Sequence, residues 1–195
     1  RKEAAQEWRI TMKKVDLHVH STYSDGTNTP KELIKLAENE GLSAIALTDH
    51  DTLDGIPDAL DAAKNSSVEL IPGVELSTNF NNTEVHIVGL FLDHNNKQIN
   101  DYLIYQRQSR IDRNIQMCEK FCDIGINITY DKMCELYPDA VITRAHFADY
   151  LVKNKYTGDR NEAFDRYLSP GKPCFVNRHK VDPEEAIAVI HKAHG

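Results

Sequence analysis

The chain has 195 residues, 41% of them hydrophobic and 27% charged, with a formal net charge of −7. That is the make-up of an ordinary globular protein with one substantial core, or a core with a lobe attached, and it argues against non-specific coating of nucleic acid. No apolar run approaches the roughly 20 residues of a membrane span, and no signal-peptide core stands at the polar N-terminus.

Residues 1–12 are read as an N-terminal extension, with Met12 a candidate start just ahead of the first strand. The four cysteines, Cys118, Cys122, Cys134 and Cys174, form neither a metal knuckle nor a disulfide framework. Cys118 and Cys122, spaced i, i+4, read as small buried apolar residues, and a reducing cytoplasmic setting is expected. Charge is unevenly placed: residues 101–180 carry 13 basic and 11 acidic side chains, the remainder 10 and 19. An acidic body that concentrates cations, beside a slightly basic segment, suits metal-assisted phosphate chemistry.

Val15-Asp-Leu-His-Val-His20 alternates apolar and polar residues, the period of a strand, which puts Asp16, His18 and His20 on one face. Asp25 follows on the turn beyond. Thr29-Pro30-Lys31-Glu32 is a capping box with proline at the first helical position, so a helix starts there and ends at Gly41. Ala44-Ile-Ala-Leu-Thr48 reads as a strand buried on both faces, running into Asp49-His50-Asp51. A helix over 56–65 and strands over 69–76 and 84–92 follow. This rhythm is that of a parallel sheet or barrel. The polar exceptions (His18, His20, Asp25, Asp49, His50, Glu75) fall at strand ends, where parallel barrels place their active sites.

From residue 98 the rhythm changes. One long helix is expected over 98–124, then helical pieces near 129–137, 144–154 and 160–169. Residues 98–180 are therefore read as a helical insertion or lid, between barrel segments 13–97 and 181–195. Asp182-Pro183-Glu184-Glu185 repeats the cap, proline and acidic first turn of a helix.

The candidate metal ligands are His18, His20, Asp25, His50, Glu75 and His86. Imidazoles and carboxylates without thiolates suit Zn²⁺, Mn²⁺ or Fe²⁺ in a catalytic rather than a structural site. Glu75 sits in an otherwise apolar strand, where a carboxylate is costly unless paired or metal-bound. His94, His179, His191 and His194 read as ordinary surface or core residues.

Asp-Leu-His-Val-His-Ser-x-x-Ser-Asp-Gly, Ala-Leu-Thr-Asp-His-Asp, Pro-Gly-Val-Glu and Val-His-Ile-Val-Gly, in that order, resemble the first blocks of the PHP (polymerase and histidinol phosphatase) family. Ile142-Thr-Arg144-Ala-His146 is similar to a block of the branch that hydrolyses nucleoside 3′,5′-bisphosphates and degrades short RNA from the 5′ end. The resemblance implies a distorted seven-stranded β/α, TIM-like barrel with three divalent metal ions at its mouth, Mn²⁺ first, with Fe²⁺ or Zn²⁺ as alternatives. It implies that His18, His20 and Glu75, the catalytic set, hold one ion. Glu75 then bridges to a second ion held by His86, while Asp25 and His50 hold the third. Asp49 would orient an imidazole, and Arg144 and His146 would reach a substrate phosphate. Ala145 departs from the branch, which has proline there.

The resemblance also implies further strands beyond Gly195, with Ala-His-Pro and Asp-x-His blocks that complete the ligand set, so the C-terminal part of the barrel is absent from these 195 residues. The expected partners are a small nucleotide or short oligonucleotide. No stable duplex binding, no membrane and a monomeric state are expected. The competing readings are a histidinol-phosphate-type phosphatase, an amidohydrolase-type metal hydrolase and a non-catalytic metal- or nucleotide-binding fragment. Glu75, where an amidohydrolase wants a bridging lysine, favours phosphoesterase.

Overall fold

The computed structural model describes residues 13–81, 83–178 and 181–195. Four strands, β1 (Lys14–Val19), β2 (Leu42–Leu47), β3 (Glu69–Phe80) and β4 (Thr83–Leu90), form one sheet in the order β1-β2-β3-β4. The architecture is α/β, and these four strands make part of a barrel. Seven strands are not seen among the described residues.

Helices α1 (Pro30–Asn39) and α2 (Ile56–Ala63) are the crossovers that make β1, β2 and β3 parallel. The Thr29 capping box forms as its sequence predicts, Glu32 answering Thr29. The chain leaves α1 through Gly41 at φ +66°, a left-handed conformation that glycine adopts without a Cβ penalty.

β4 breaks the parallel rhythm. It pairs antiparallel with β3, because only a tight turn, entered through Asn81 at φ +50°, joins them. A connection that short permits only a hairpin. The consequence is local and important: Ser77 lies opposite His86, so Glu75, two residues before Ser77, is a diagonal neighbour of His86 on one face.

Helix α3 (Lys97–Asp123) spans two cores. Its first turns put Ile99 and Leu103 against the sheet core of Leu47, Val74 and Leu76, where α7 (Pro183–Lys192) adds Ala186 and Ile190. Asp182 precedes α7 but makes no side-chain cap, contrary to the sequence expectation. The last turns of α3 put Met117 and Phe121 into a second core with α4 (Tyr130–Leu136) and α5 (Arg144–Lys153). Phe121 stacks on Phe147 at 6.0 Å. Both rings are fully buried, and truncating either to alanine costs about 3–5 kcal/mol.

The helix expected over 160–169 divides into α6 (Arg160–Ala163) and a π-helical turn, Phe164–Leu168. Cys118 and Cys174 are buried free thiols, whereas Cys122 is exposed, which corrects the reading of the Cys118/Cys122 pair as jointly buried. Val15 and Leu17 of β1 are 51% and 40% exposed. Among the described residues no helix is long and apolar enough to cross a membrane. His179 and the N-terminal extension lie outside the described residues.

Candidate metal centre

The six candidate ligands come together. Glu75 Oε2 lies 3.0 Å from His18 Nε2, 2.9 Å from His20 Nε2 and 3.3 Å from His50 Nδ1. The other carboxylate oxygen, Oε1, meets His86 Nδ1. Asp25 faces His20 Nδ1 at 3.1 Å and His50 Nε2 at 3.5 Å. Three overlapping groups result: His18, His20 and Glu75; His20, Asp25 and His50; and His50, Glu75 and His86.

Local folding explains the convergence. His18 lies in β1 and His20 just beyond its end. The parallel register carries on past the strand ends to bridge His50 to Glu75. Asp25 reaches the cluster because residues 20–26 fold back on themselves. Gly26 N–H donates to Ser21 O at 3.0 Å, and a Cβ on Gly26 would fall 2.1 Å from His20 O. Only glycine fits so close an approach.

The electrostatics follow from this packing. Burial raises the Glu75 carboxyl, but hydrogen bonds from His20 and His86 outweigh it and hold the pKa far below the usual carboxylate range. Asp25 behaves alike through His20 and His50. Burial lowers the His20 imidazole, yet bonds to Asp25 and Glu75 dominate and carry it up to about 9. His86 is also raised to about 9, first by Glu75 and then by Glu84. His50 goes the other way, to about 4, because burial and then the Arg110 charge disfavour its cation. His50 Nδ1 is buried without a hydrogen bond among the described residues. A neutral imidazole with an unused nitrogen beside two ionised carboxylates is the donor chemistry of a divalent metal site, so these residues fit such ions.

Asp49 stands one step further out than the sequence suggested. Its carboxylate accepts from Ser21 N–H (2.7 Å), Ser21 Oγ (2.6 Å) and Ser24 Oγ (2.6 Å). Ser24 Oγ in turn lies 3.2 Å from His20 Nδ1, so Asp49 meets that imidazole through a hydroxyl.

Beside the cluster a cavity of about 130 Å³ is lined by Asp25, His50 and His86 together with Glu84 and four arginines, Arg110, Arg113, Arg144 and Arg178. Arg144, the sequence candidate, bonds Glu84 at 2.8 Å and lies over the Phe175 ring. The other three arginines escaped sequence reasoning. Arg110 (2.6 Å) and Arg178 (3.0 Å) clasp the buried carboxylate of Asp51, and Arg110 also donates to Ser77 Oγ at 3.1 Å. Arg113 is buried, and its Nε and Nη2 have no partner among the described residues. The available signal was a charged Arg110-x-x-Arg113 pair inside the α3 stripe, which looks like a solvated face until the sheet is packed against it.

His146 is placed apart from Arg144. It is buried, and its Nδ1 accepts the Thr143 N–H at 2.9 Å in the capping box of α5. Burial lowers its pKa. Rather than the arginine cavity, it lines a separate groove on the far side of Asp25.

The family model described as PHP domain matches residues 16–192. Over 94% of its length the chain is 43% identical to a protein named 5′-3′ exoribonuclease from Haemophilus influenzae, and covers 66% of that relative. It is 36% identical, again over 94%, to a 3′,5′-nucleoside bisphosphate phosphatase from Chromobacterium violaceum, covering 65% of it. The structure of a Chromobacterium violaceum protein described as an amidohydrolase, with bound sulfate, superposes with a TM-score of 0.87 at 35% identity, over 93% of this chain and 64% of that one. The chain thus spans just under two thirds of the length of these relatives. By the match over 16–192 and by these likenesses, the chain belongs to the PHP domain family.

Proposed function

We propose that the protein carrying this chain is a divalent-metal-dependent phosphoesterase acting on nucleotides. Its reactions are removal of the 3′-phosphate from nucleoside 3′,5′-bisphosphates and 5′→3′ cleavage of short RNA. The names of the relatives accord with this reading. The observation that carries it is the contact between two unlike halves of one site: three overlapping ligand groups, two of them sharing Glu75, opening onto a cavity lined by four arginines. An ester with a single phosphate needs the first half only. A substrate with a second phosphate offers an anion to Arg113, whose Nε and Nη2 have no partner among the described residues.

His18, His20, Asp25, His50, Glu75 and His86 would hold the ions, three of them in this reading, with Mn²⁺ the first choice. When bound, the metal ions lower the pKa of water toward neutrality and offset charge on phosphoryl oxygens. Arg144 and Arg113 bind the distal phosphate, for which the planar guanidinium fork is well shaped. Asp51 keeps Arg110 and Arg178 aligned. His146 serves as a cap of α5 and a wall of the second groove rather than as a phosphate ligand.

The test compares phosphate release from adenosine 3′,5′-bisphosphate and adenosine 3′-monophosphate by the full-length protein with Mn²⁺. The bisphosphate is expected to be favoured roughly tenfold to a hundredfold, the worth of one or two charge-assisted hydrogen bonds. The His18→Ala variant is expected to be inactive. Full activity of that variant, or of metal-stripped protein, would overturn the reading.

A further inference from the structure

Asp25 is a wall common to two cavities. On one side lies the arginine cavity; on the other lies a groove of about 430 Å³ between the turn after β1 and the helical insertion. Tyr137, half-buried, gives the groove an aromatic wall. The Tyr137 ring packs on His146 at 4.4 Å, and Lys153 Nζ stands 5.3 Å from the centre of the same ring. Thr22, half-buried, and Thr27, exposed, also line the groove. Leu136, 42% exposed, adds an apolar edge.

The order along the surface is therefore guanidinium cavity, metal-ligand cluster, aromatic platform with a cation. In a 5′-phosphorylated RNA being cut from its 5′ end, the order of chemical groups is terminal phosphate, scissile phosphodiester, next nucleoside. We infer that the Tyr137/Lys153 groove binds the nucleotide on the 3′ side of the scissile phosphodiester, the base on Tyr137 and its downstream phosphate toward Lys153. This rests on the phosphoesterase reading above. Every base has a π-face, so an aromatic platform accepts it without sequence preference, and a lysine supplies the phosphate charge. A nucleoside 3′,5′-bisphosphate has no such nucleotide and leaves the groove unused. The chain thereby acquires a structural reason to treat RNA and bisphosphate differently. Cleavage itself is hydrolysis: water's oxygen joins phosphorus, the bond from phosphorus to the 3′-oxygen of the first nucleotide breaks, that oxygen takes a proton, and the phosphate stays on the 5′ end of the remaining chain.

The experiment measures kcat/KM of full-length, metal-loaded protein on a 5′-phosphorylated trinucleotide and on the matching nucleoside 3′,5′-bisphosphate. Tyr137→Ala and Lys153→Glu are each expected to lower the trinucleotide-to-bisphosphate ratio by about fivefold to a hundredfold, the range of one lost base stack. Lys153 is exposed, so its variant tests the groove without disturbing the second core. Calorimetric affinity for a phosphorothioate-linked, 5′-phosphorylated trinucleotide is expected to fall in step. A ratio unchanged in the Lys153→Glu and Tyr137→Ala variants, or equal losses on both substrates, would overturn the inference. Wild-type protein idle on both substrates would instead sink the phosphoesterase reading on which it stands.

Discussion

Thr143 donates its hydroxyl hydrogen to Asp25 Oδ2 across 3.0 Å, tying the residue ahead of α5 to a carboxylate 118 positions earlier. The same hydroxyl accepts the Ala145 N–H at 3.1 Å, so one oxygen caps a helix and holds a candidate metal ligand. The start of α5 is thereby fastened to the histidine–carboxylate cluster.

Removing that oxygen separates its two duties. Thr143→Ala is expected to cost about 1 kcal/mol of stability through the lost cap. It is also expected to weaken metal affinity about 10- to 100-fold, the usual effect of losing a partner behind a ligand. Thr143→Ser keeps both bonds. Metal titration and thermal denaturation of the two variants check this, and an alanine variant with wild-type metal affinity would show that Asp25 holds its place alone.

Protons and metals compete for the imidazoles. His20 and His86 are raised from 6.5 to about 9 in the metal-free protein by their carboxylate partners. A folded pKa above the unfolded value means that their pairing stabilises fully below about 6.5 and is lost as pH rises through about 9. A metal ion takes the neutral ring, so binding must release protons across this window, and apparent affinity should climb from about pH 6.5 to 9. Calorimetry in buffers of different ionisation heat measures the release. Affinity independent of pH over that range would contradict the arrangement of Glu75 and its imidazoles.

Asp51 shows what a buried ion pair does when broken. It has no exposed surface, and burial raises its carboxyl, but Arg110 and Arg178 outweigh that and hold its pKa at about 2. Its contribution is therefore present above the unfolded value of 3.8 and lost as pH falls through about 2. Asp51→Asn leaves two buried guanidinium groups facing each other, and a loss of about 3–5 kcal/mol is expected in denaturant unfolding.

Arg113 should show the opposite balance. Burial, then the charges of Arg110 and Arg178, pushes its pKa well below the ordinary arginine value, the mark of a cation held in an unfavourable place. Arg113→Met is expected to leave stability equal or higher, since a side chain of similar length replaces a buried cation whose Nε and Nη2 have no hydrogen bond among the described residues. The same change is expected to raise KM for a nucleoside 3′,5′-bisphosphate roughly tenfold or more. Melting temperature and steady-state kinetics on one preparation check both signs, and a large loss of stability would mean that the guanidinium is structural.

Local rules were legible wherever neighbours in sequence decide the outcome. The Thr29 box, the buried run of β2 and the candidate ligands His18, His20, Asp25, His50 and Glu75 were readable from strand alternation and strand-end position, whereas His86, inside β4, was singled out by the family resemblance. Arg110, Arg113 and Arg178 were not, because nothing local distinguishes a solvated arginine from one folded over a carboxylate. Asp182 misled for a related reason: its sequence offers a cap, but its backbone setting leaves the side chain unbonded.

By itself the sequence determined the chemistry available: imidazoles and carboxylates at the ends of successive strands, which points to divalent metals. Only the tertiary structure decided what that chemistry faces. The hairpin that turns β4 antiparallel brings His86 to Glu75, and α3 lays Arg110 and Arg113 over the same face. His146 went instead to the cap of α5, on the groove side of Asp25. These are choices between contacts far apart in the chain, and they are settled by packing and by the cost of leaving buried charge unpaired, neither of which is visible until the whole chain is folded.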